Sequence, residues 1–214
     1  MGFIQYIVNN AFIPLLKLSY AMIPNYGVAI IFLTLLIKLI FYPLTYKQFK
    51  SMKINQKLQP EVKRLQEKFK DDPQQAHKAV MALWKEHNAN PFLGCLPTLI
   101  QLPFFFAIFW TIKSPAFAQL LSMPGVNPGL FSFWISNLSL PDKTFILPVV
   151  IGIATYFSQK MFMTDPKQAA LFMFMPFVMV FICLKMPGGV LIYWATSQVI
   201  STAQQFLIMR KHQD

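Results

Sequence analysis

The sequence predicts an all-α integral membrane protein: five transmembrane helices around a polar groove, a cytoplasmic helical hairpin between the first two spans, and an N-terminal interfacial helix. Three observations carry this expectation. Hydrophobic residues make up 55% of the 214 and charged residues only 13%, against roughly 25% charged in a soluble domain. Five apolar runs are each about as long as the ~20 residues a helix needs to cross hydrocarbon. Ten of the nineteen basic residues crowd into the one connection 47–91, the asymmetry expected of a cytoplasmic loop.

Residues 1–25 are apolar but interrupted by polar positions and by Pro14 and Pro24, which suits a helix lying in the interface better than one crossing it. They carry neither the basic leader nor the small-residue cleavage site of a signal peptide. The spans follow at 26–45, 92–112, 144–163, 168–186 and 189–209. Pro97 and Pro103 interrupt the second and Pro176 the fourth, a pattern membrane helices tolerate because neighbours satisfy the freed carbonyls. The connection 46–91 and the short loop 164–167 are expected in the cytoplasm with the tail 210–214, whereas 113–143, poor in basic residues, is expected outside. The N-terminus is then outside and the C-terminus cytoplasmic. Cys95 and Cys183 lie in apolar runs and read as packing residues. No spacing suggests a metal site, and no cofactor is expected.

Within the basic connection, Ile54, Leu58, Val62, Leu65 and Phe69 recur at helical spacing. After the turn DDPQQ, Ala76, Ala79, Val80, Leu83 and Trp84 form a second stripe. Two antiparallel amphipathic helices are expected, packed along these stripes. Their lysine-rich faces suit either an anionic membrane surface or an RNA or acidic partner. Trp84 falls on the apolar stripe, so aromatic platforms for base stacking are missing and a sequence-specific nucleic-acid binder is not expected.

Lys38 is the most costly residue in the spans. A lysine near mid-membrane costs about 2.5–3.5 kcal/mol on insertion scales, and no Asp or Glu lies in any of the five runs to pair with it. Thr34 and Thr45 share its helix face. The second span adds Thr98 and Gln101, and the third Thr155, Ser158 and Gln159. The fifth is polar through its inner half, with a stripe expected at Trp194, Gln198, Ser201 and Gln205. The fourth span contributes almost nothing polar. Single hydroxyls of this kind usually bond between helices, and a lysine stem can snorkel toward the interface. Together, around an unpaired cation, they indicate a hydrated cavity reached from the cytoplasmic side. The candidate groove residues are Lys38, Thr34, Gln101, Thr155, Ser158, Gln159, Trp194, Gln198 and Ser201.

The runs KLIFYPLTYKQFKSM, LQPEVKRLQEKF, NPFLGCLPTLIQLPFFFAIF, LPVVIGIATYFSQKM, FMFMPFVMVF and PGGVLIYWATSQVISTAQQFLI are similar, in order and over nearly the whole chain, to the conserved core of the YidC family of membrane protein insertases. The resemblance implies a five-span protein of the bacterial plasma (inner) membrane that inserts and helps fold newly made membrane proteins, alone or beside the Sec translocon. The partners it implies are nascent membrane proteins, the lipid bilayer, and the ribosome and Sec translocon. It implies a polar groove closed outward and open to cytoplasm and lipid. The family's first-span arginine is matched here by Lys38, its third-span glutamine by Gln159, and the aromatic position early in the fifth span by Trp194. Lysine for arginine is a real departure: a guanidinium forms a planar fork that an ammonium lacks. The large extracytoplasmic domain of many Gram-negative members and a long basic tail do not occur within these 214 residues.

The rival class is a small transporter or channel with a cationic intramembrane site. Against it, spans two and three do not resemble four and five, so no inverted repeat is visible, and no intramembrane carboxylate is present for a proton relay. An enzyme is not expected: HExxH, GxSxG and GxxxxGKS are all missing.

Overall fold

The computed structural model describes residues 6, 10, 12–87, 89, 96–131, 134–162 and 166–210, the side chains of 96–98, 100, 162 and 166–173 excepted. Cys95, the start of the second predicted span, most of 1–11, loop residues 164–165 and tail residues 211–214 lie outside the described residues, as does the side chain of Thr98. Among the described residues the protein is all-helical, as expected. The helices are α1 (Ile13–Met22), α2 (Tyr26–Ile40), α3 (Tyr42–Lys68), α4 (Pro73–Glu86), α5 (Leu96–Lys113), α6 (Pro115–Leu121), α7 (Ile146–Phe162), α8 (Pro166–Cys183) and α9 (Gly188–Arg210).

Local sequence explains most of the breaks. Pro24 ends α1, and the Asn25 side chain accepts from Val28 N–H at 3.1 Å to start α2. The chain bends 110° between these helices. The apolar run 26–45 is divided at Phe41, where α2 gives way to the 27-residue α3. Asp72 starts α4 by accepting from the N–H groups of Gln74 and Gln75, with Pro73 at the first helical position. Ser114 starts α6 before Pro115 in the same way. Among the described residues no single helix is long and apolar enough to cross a membrane. The pairs α1 with α2, and Gln101–Lys113 with α6, pass that test together. The longest of the bundle helices, α9, has its apolar character diluted by serine, threonine and glutamine.

The bundle has two unlike ends. At one, the described residues of the loop after α6 pack against the starts of α2, α7 and α9. Leu138 N–H donates to Pro128 O, Leu130 N–H to Ile135 O, Gly188 N–H to Leu140 O and Gly189 N–H to Leu138 O, at 2.7–2.9 Å. Asn25 Nδ2 donates to Leu130 O at 2.8 Å, tying the α2 cap to the loop. Beneath this lid lie the fully buried Leu16, Ala29, Ile30, Phe117, Ile151, Val190 and Leu191, with Leu138 of the lid itself packed into the same core. The other end carries the α3–α4 hairpin, whose own small core includes Leu58, Val62 and Val80. The large exposed apolar side chains are equally informative: Leu39, Ile40, Phe177 and Phe181 are each 70–71% exposed. A water-soluble bundle rarely leaves so much apolar surface bare.

Gly27 marks the closest approach of the lid to α2. A Cβ there would stand 2.7–2.8 Å from Cδ1, Cα and Cβ of Leu130, too near for any side chain. Gly27→Ala is expected to push the lid outward, strain the Asn25–Leu130 bond and destabilise the fold by about 1–3 kcal/mol, the usual cost of overpacking. Thermal unfolding in detergent measures it.

Candidate functional site

Directly below the apolar core, toward the hairpin, the bundle becomes polar. Thr34 is buried, and its hydroxyl is satisfied by donating to Ile30 O at 2.6 Å. One turn further along α2, the half-buried Lys38 Nζ donates to Ser201 Oγ at 2.7 Å, joining α2 to α9. Gln101 on α5 uses both ends of its amide on α9: Nε2 donates to Tyr193 Oη at 2.6 Å, and Oε1 accepts from Ser197 Oγ at 3.2 Å. On α7, Ser158 Oγ donates to Gln205 Oε1 at 2.7 Å, while Gln205 Nε2 returns a bond to Ser158 O at 3.0 Å.

These four ties share one geometric cause. Tyr193, Ser197, Ser201 and Gln205 are spaced by four residues, so they line one face of α9, and that face meets α5, α2 and α7 in turn. The stripe therefore runs one residue away from the expected positions Trp194 and Gln198. Trp194 sits at the flank of the face, edge-on to Phe105 with ring centroids 5.3 Å apart. Gln198 and Thr155 are half-buried, with no hydrogen bond among the described residues. Gln159 has its Oε1 buried without a partner. The structure thus ties Lys38, Gln101, Ser158 and Ser201 to α9 in three separate hydrogen-bonded sets, strung along roughly 18 Å of that helix at about 1.5 Å per residue, with Thr34 one turn before Lys38 on α2. Tyr193 and Ser197 join these sets from outside the expected stripe, and Gln205 joins them from within it. The spacing of four that Tyr193 and Ser197 share with Ser201 and Gln205 is visible in the sequence, but a tyrosine in an apolar run gives no local sign that its hydroxyl meets an amide.

Among the described residues no Asp or Glu lies on α2, α5, α7, α8 or α9. Asp142 is buried in the lid with both carboxylate oxygens engaged by Thr144 and Leu147. Lys38 is accordingly held by a hydroxyl and by no carboxylate of its own neighbourhood. Among the described residues no cluster of His, Cys, Asp and Glu could hold a metal. Beside these groups, an apolar cleft of about 550 Å³ opens between α7 and α9, lined by Val150, Ile153, Phe157, Val199, Ala203 and Phe206. Ile153, Phe157 and Phe206 are 52–53% exposed, so the cleft faces outward from the bundle.

The sequence profile described as "60Kd inner membrane protein" matches residues 18–214. The chain belongs to that family. Curated relatives named "Membrane protein insertase YidC" include one from Francisella philomiragia subsp. philomiragia, 43% identical over 91% of this chain and 34% of its own length. Another, from Francisella tularensis subsp. novicida, is 42% identical over the same shares. This member of the 60Kd inner membrane protein family thus spans about a third of the length of the curated relatives it matches. A crystal structure of an active YidC insertase with its first transmembrane domain resolved superposes with a TM-score of 0.74 at 27% identity, covering 95% of this chain and 46% of that one. The YidC resemblance read from the motifs is borne out by all three comparisons.

Proposed function

We propose that this chain is a membrane protein insertase. It gives newly made membrane proteins a hydrated, cationic route partway through the bilayer and releases them sideways into lipid. The observation that carries the reading is the contrast between the two ends: a lid over a close-packed apolar core on one side, and a row of hydrogen-bonded polar groups with a lysine without a carboxylate partner among them on the other. A hydrophilic flank moving along such a row meets hydroxyls and amides in place of hydrocarbon, which shortens the dry distance left to cross.

In this reading α2 with the start of α3, then α5, α7, α8 and α9 are the five spans. The α3–α4 hairpin is cytoplasmic, the lid extracytoplasmic and α1 interfacial, so the N-terminus is outside and the C-terminus inside. Lys38 attracts acidic flanks; Thr34, Gln101, Thr155, Ser158, Gln159, Gln198 and Ser201 solvate the passing chain, and Trp194 borders the groove. The cleft between α7 and α9 offers its exposed apolar walls to the emerging hydrophobic segment. Nascent membrane proteins are the substrates, with the Sec translocon and the ribosome as working partners in the cell.

Photocrosslinking to a stalled nascent membrane protein tests the reading. Probes at Lys38, Thr155, Gln159 and Trp194 are expected to capture it, and probes on the exposed face of α8 are expected not to. Equal capture from α8, or ion flux through proteoliposomes without any substrate, would favour a channel instead.

A further inference from the structure

Lys143 and Lys185 lie at the lid end of the bundle, where an extracytoplasmic surface carries few basic residues, and neither takes part in the polar sets around Lys38. The fold holds them side by side. An isolated antiparallel bridge pairs Pro141 with Pro187, and Gly188 N–H donates to Leu140 O next to it at 2.7 Å. Antiparallel partners run in opposite directions, so the residues after Pro141 and those before Pro187 leave the bridge toward the same side. Two steps along each segment reach Lys143 and Lys185, each within about 7 Å of its own proline by chain length.

The helices close the arrangement from the other side. Three residues separate α7 from α8, which makes them antiparallel neighbours. A Cβ on Gly152 would stand 2.5 Å from Val180 Cγ2 and 3.6 Å from Pro176 O, so the two helices touch at that level. Gly152 is six residues from the start of α7, and Pro176 and Val180 are seven and three from the end of α8. At about 1.5 Å per residue, Ile146 and Cys183 stand level with each other. Lys143 and Lys185 therefore sit on two segments fastened together twice, by the bridge on one side of them and by helix packing on the other.

Both lysines are exposed, and neither side chain has an ion pair or hydrogen bond among the described residues. Lys113, by contrast, lies over the Phe109 ring at 4.5 Å. Asp142 is the only acid between Glu86 and Asp165, and its carboxylate is engaged by Thr144 and Leu147. Large apolar side chains are open where the two helices meet the lysines: Phe145 and Ile146 before and at the start of α7, Phe181 and Ile182 at the end of α8. Two unpaired ammonium groups next to bare apolar surface fit a ligand with an anionic head and hydrocarbon tails.

We propose that Lys143 and Lys185 form a headgroup site for one anionic phospholipid, whose phosphate sits between the two ammonium groups and whose acyl chains cover Phe145, Ile146, Phe181 and Ile182. The inference rests on the membrane embedding in the insertase reading and adds a specific lipid ligand to it. A zwitterionic headgroup is disfavoured because it brings an ammonium group of its own against the pair. Since α8 packs chiefly against α7, the lipid also fastens the lid end of α8 to the lid.

The test titrates the full chain in detergent micelles with phosphatidylglycerol, with phosphatidylcholine of the same acyl chains and with glycerol 3-phosphate, reading bound ligand by native mass spectrometry. Each lysine next to anionic lipid is worth about fivefold in binding. The parent is expected to hold one phosphatidylglycerol at least tenfold more tightly than phosphatidylcholine and to retain no glycerol 3-phosphate. The double variant Lys143→Gln, Lys185→Gln is expected to lose about tenfold for phosphatidylglycerol and nothing for phosphatidylcholine, and Lys143→Arg, Lys185→Arg to keep the parental preference. The control Lys17→Gln, Lys113→Gln removes the same charge elsewhere at the lid end and is expected to lose less than twofold. Equal losses in the two glutamine doubles would overturn the site in favour of a general charge effect. No parental preference for phosphatidylglycerol, or glycerol 3-phosphate held as tightly as the lipid, would overturn it as well. The titration contains no insertion substrate, so these outcomes leave the insertase reading standing; a chain that passes it and inserts nothing in proteoliposomes keeps the lipid site and loses that reading.

Discussion

Lys38→Ala is expected to lower insertion of a substrate with an acidic flank about tenfold while leaving a neutral flank within about twofold. The magnitude follows from the site. Two unit charges 4 Å apart attract by about 4 kcal/mol at an effective dielectric of 20, before desolvation. Water around the half-buried Lys38 and the mobility of the flank reduce this to the order of 1.4 kcal/mol, which is a factor of ten. Binding stronger than that would hold the substrate in place and defeat release into lipid. Lys38→Arg is expected to keep most of the activity, since the charge stays at the same turn of α2, facing Ser201. The variant's thermal stability separates function from structure. A lone cation among Thr34, Ser201 and apolar neighbours costs free energy to hold, so the alanine variant is expected to melt no lower than the parent. A guide that costs stability and is missed only by acidic substrates is a functional group. If acidic and neutral flanks lose equally, or neither loses, Lys38 is not the guide.

Asp142→Ala is expected to produce the largest loss of stability, about 3 kcal/mol, from a residue in the lid rather than among the polar groups around Lys38. Its carboxylate accepts from Leu147 N–H at 2.9 Å, from Thr144 N–H at 2.9 Å and from Thr144 Oγ1 at 2.6 Å. It is 3% exposed and Leu147 is buried, so alanine leaves the Leu147 N–H without a replacement acceptor, whereas the exposed Thr144 can turn its donors to water. Loss of a helix cap alone costs roughly 0.5–2 kcal/mol, and buried bonds to a charged acceptor add about 1.5–3. Between Asp142 and α7 the chain passes through Phe145 at φ 58°, a conformation that side chains disfavour and that the capping bonds hold in place. Trp134 Nε1, which donates to Thr144 Oγ1 at 2.8 Å, would lose its anchor as well. The melting temperature in detergent is expected to fall by roughly 5–10 °C. Asp142→Asn, which keeps one oxygen and loses the charge, is expected to fall about half as far. A fall of under a degree for the alanine variant would show that the lid does not depend on this cap.

The two predictions draw on different levels of information. Lys38 announced itself because an ammonium inside an apolar run is expensive wherever it occurs. Asp142 did not: an aspartate in a polar loop between proline and lysine is unremarkable until folding buries it over the first turn of α7. The same division separates Gln101 from Tyr193. An amide in a span asks for a partner, and its position was legible; that the partner is a phenol on α9 depends on which face α9 turns inward.

What the sequence determined by itself was the all-helical class, the family, and the existence of polar positions and one cation within apolar helices. Composition, hydrophobic run length and motif order are one-dimensional quantities, and they survive any arrangement in space. Tertiary structure alone decided that α9 meets its neighbours through Tyr193, Ser197, Ser201 and Gln205, that the chain turns at Phe41 so that α3 lies across the ends of α7 and α9, and that the lid closes one end. Helix rotation and crossing are set by packing among residues more than a hundred positions apart, such as Asn25 with Leu130 or Lys38 with Ser201. A rotation of one residue, about 100°, exchanges a side chain that bonds to neighbouring helices for one on the flank without altering any local pattern.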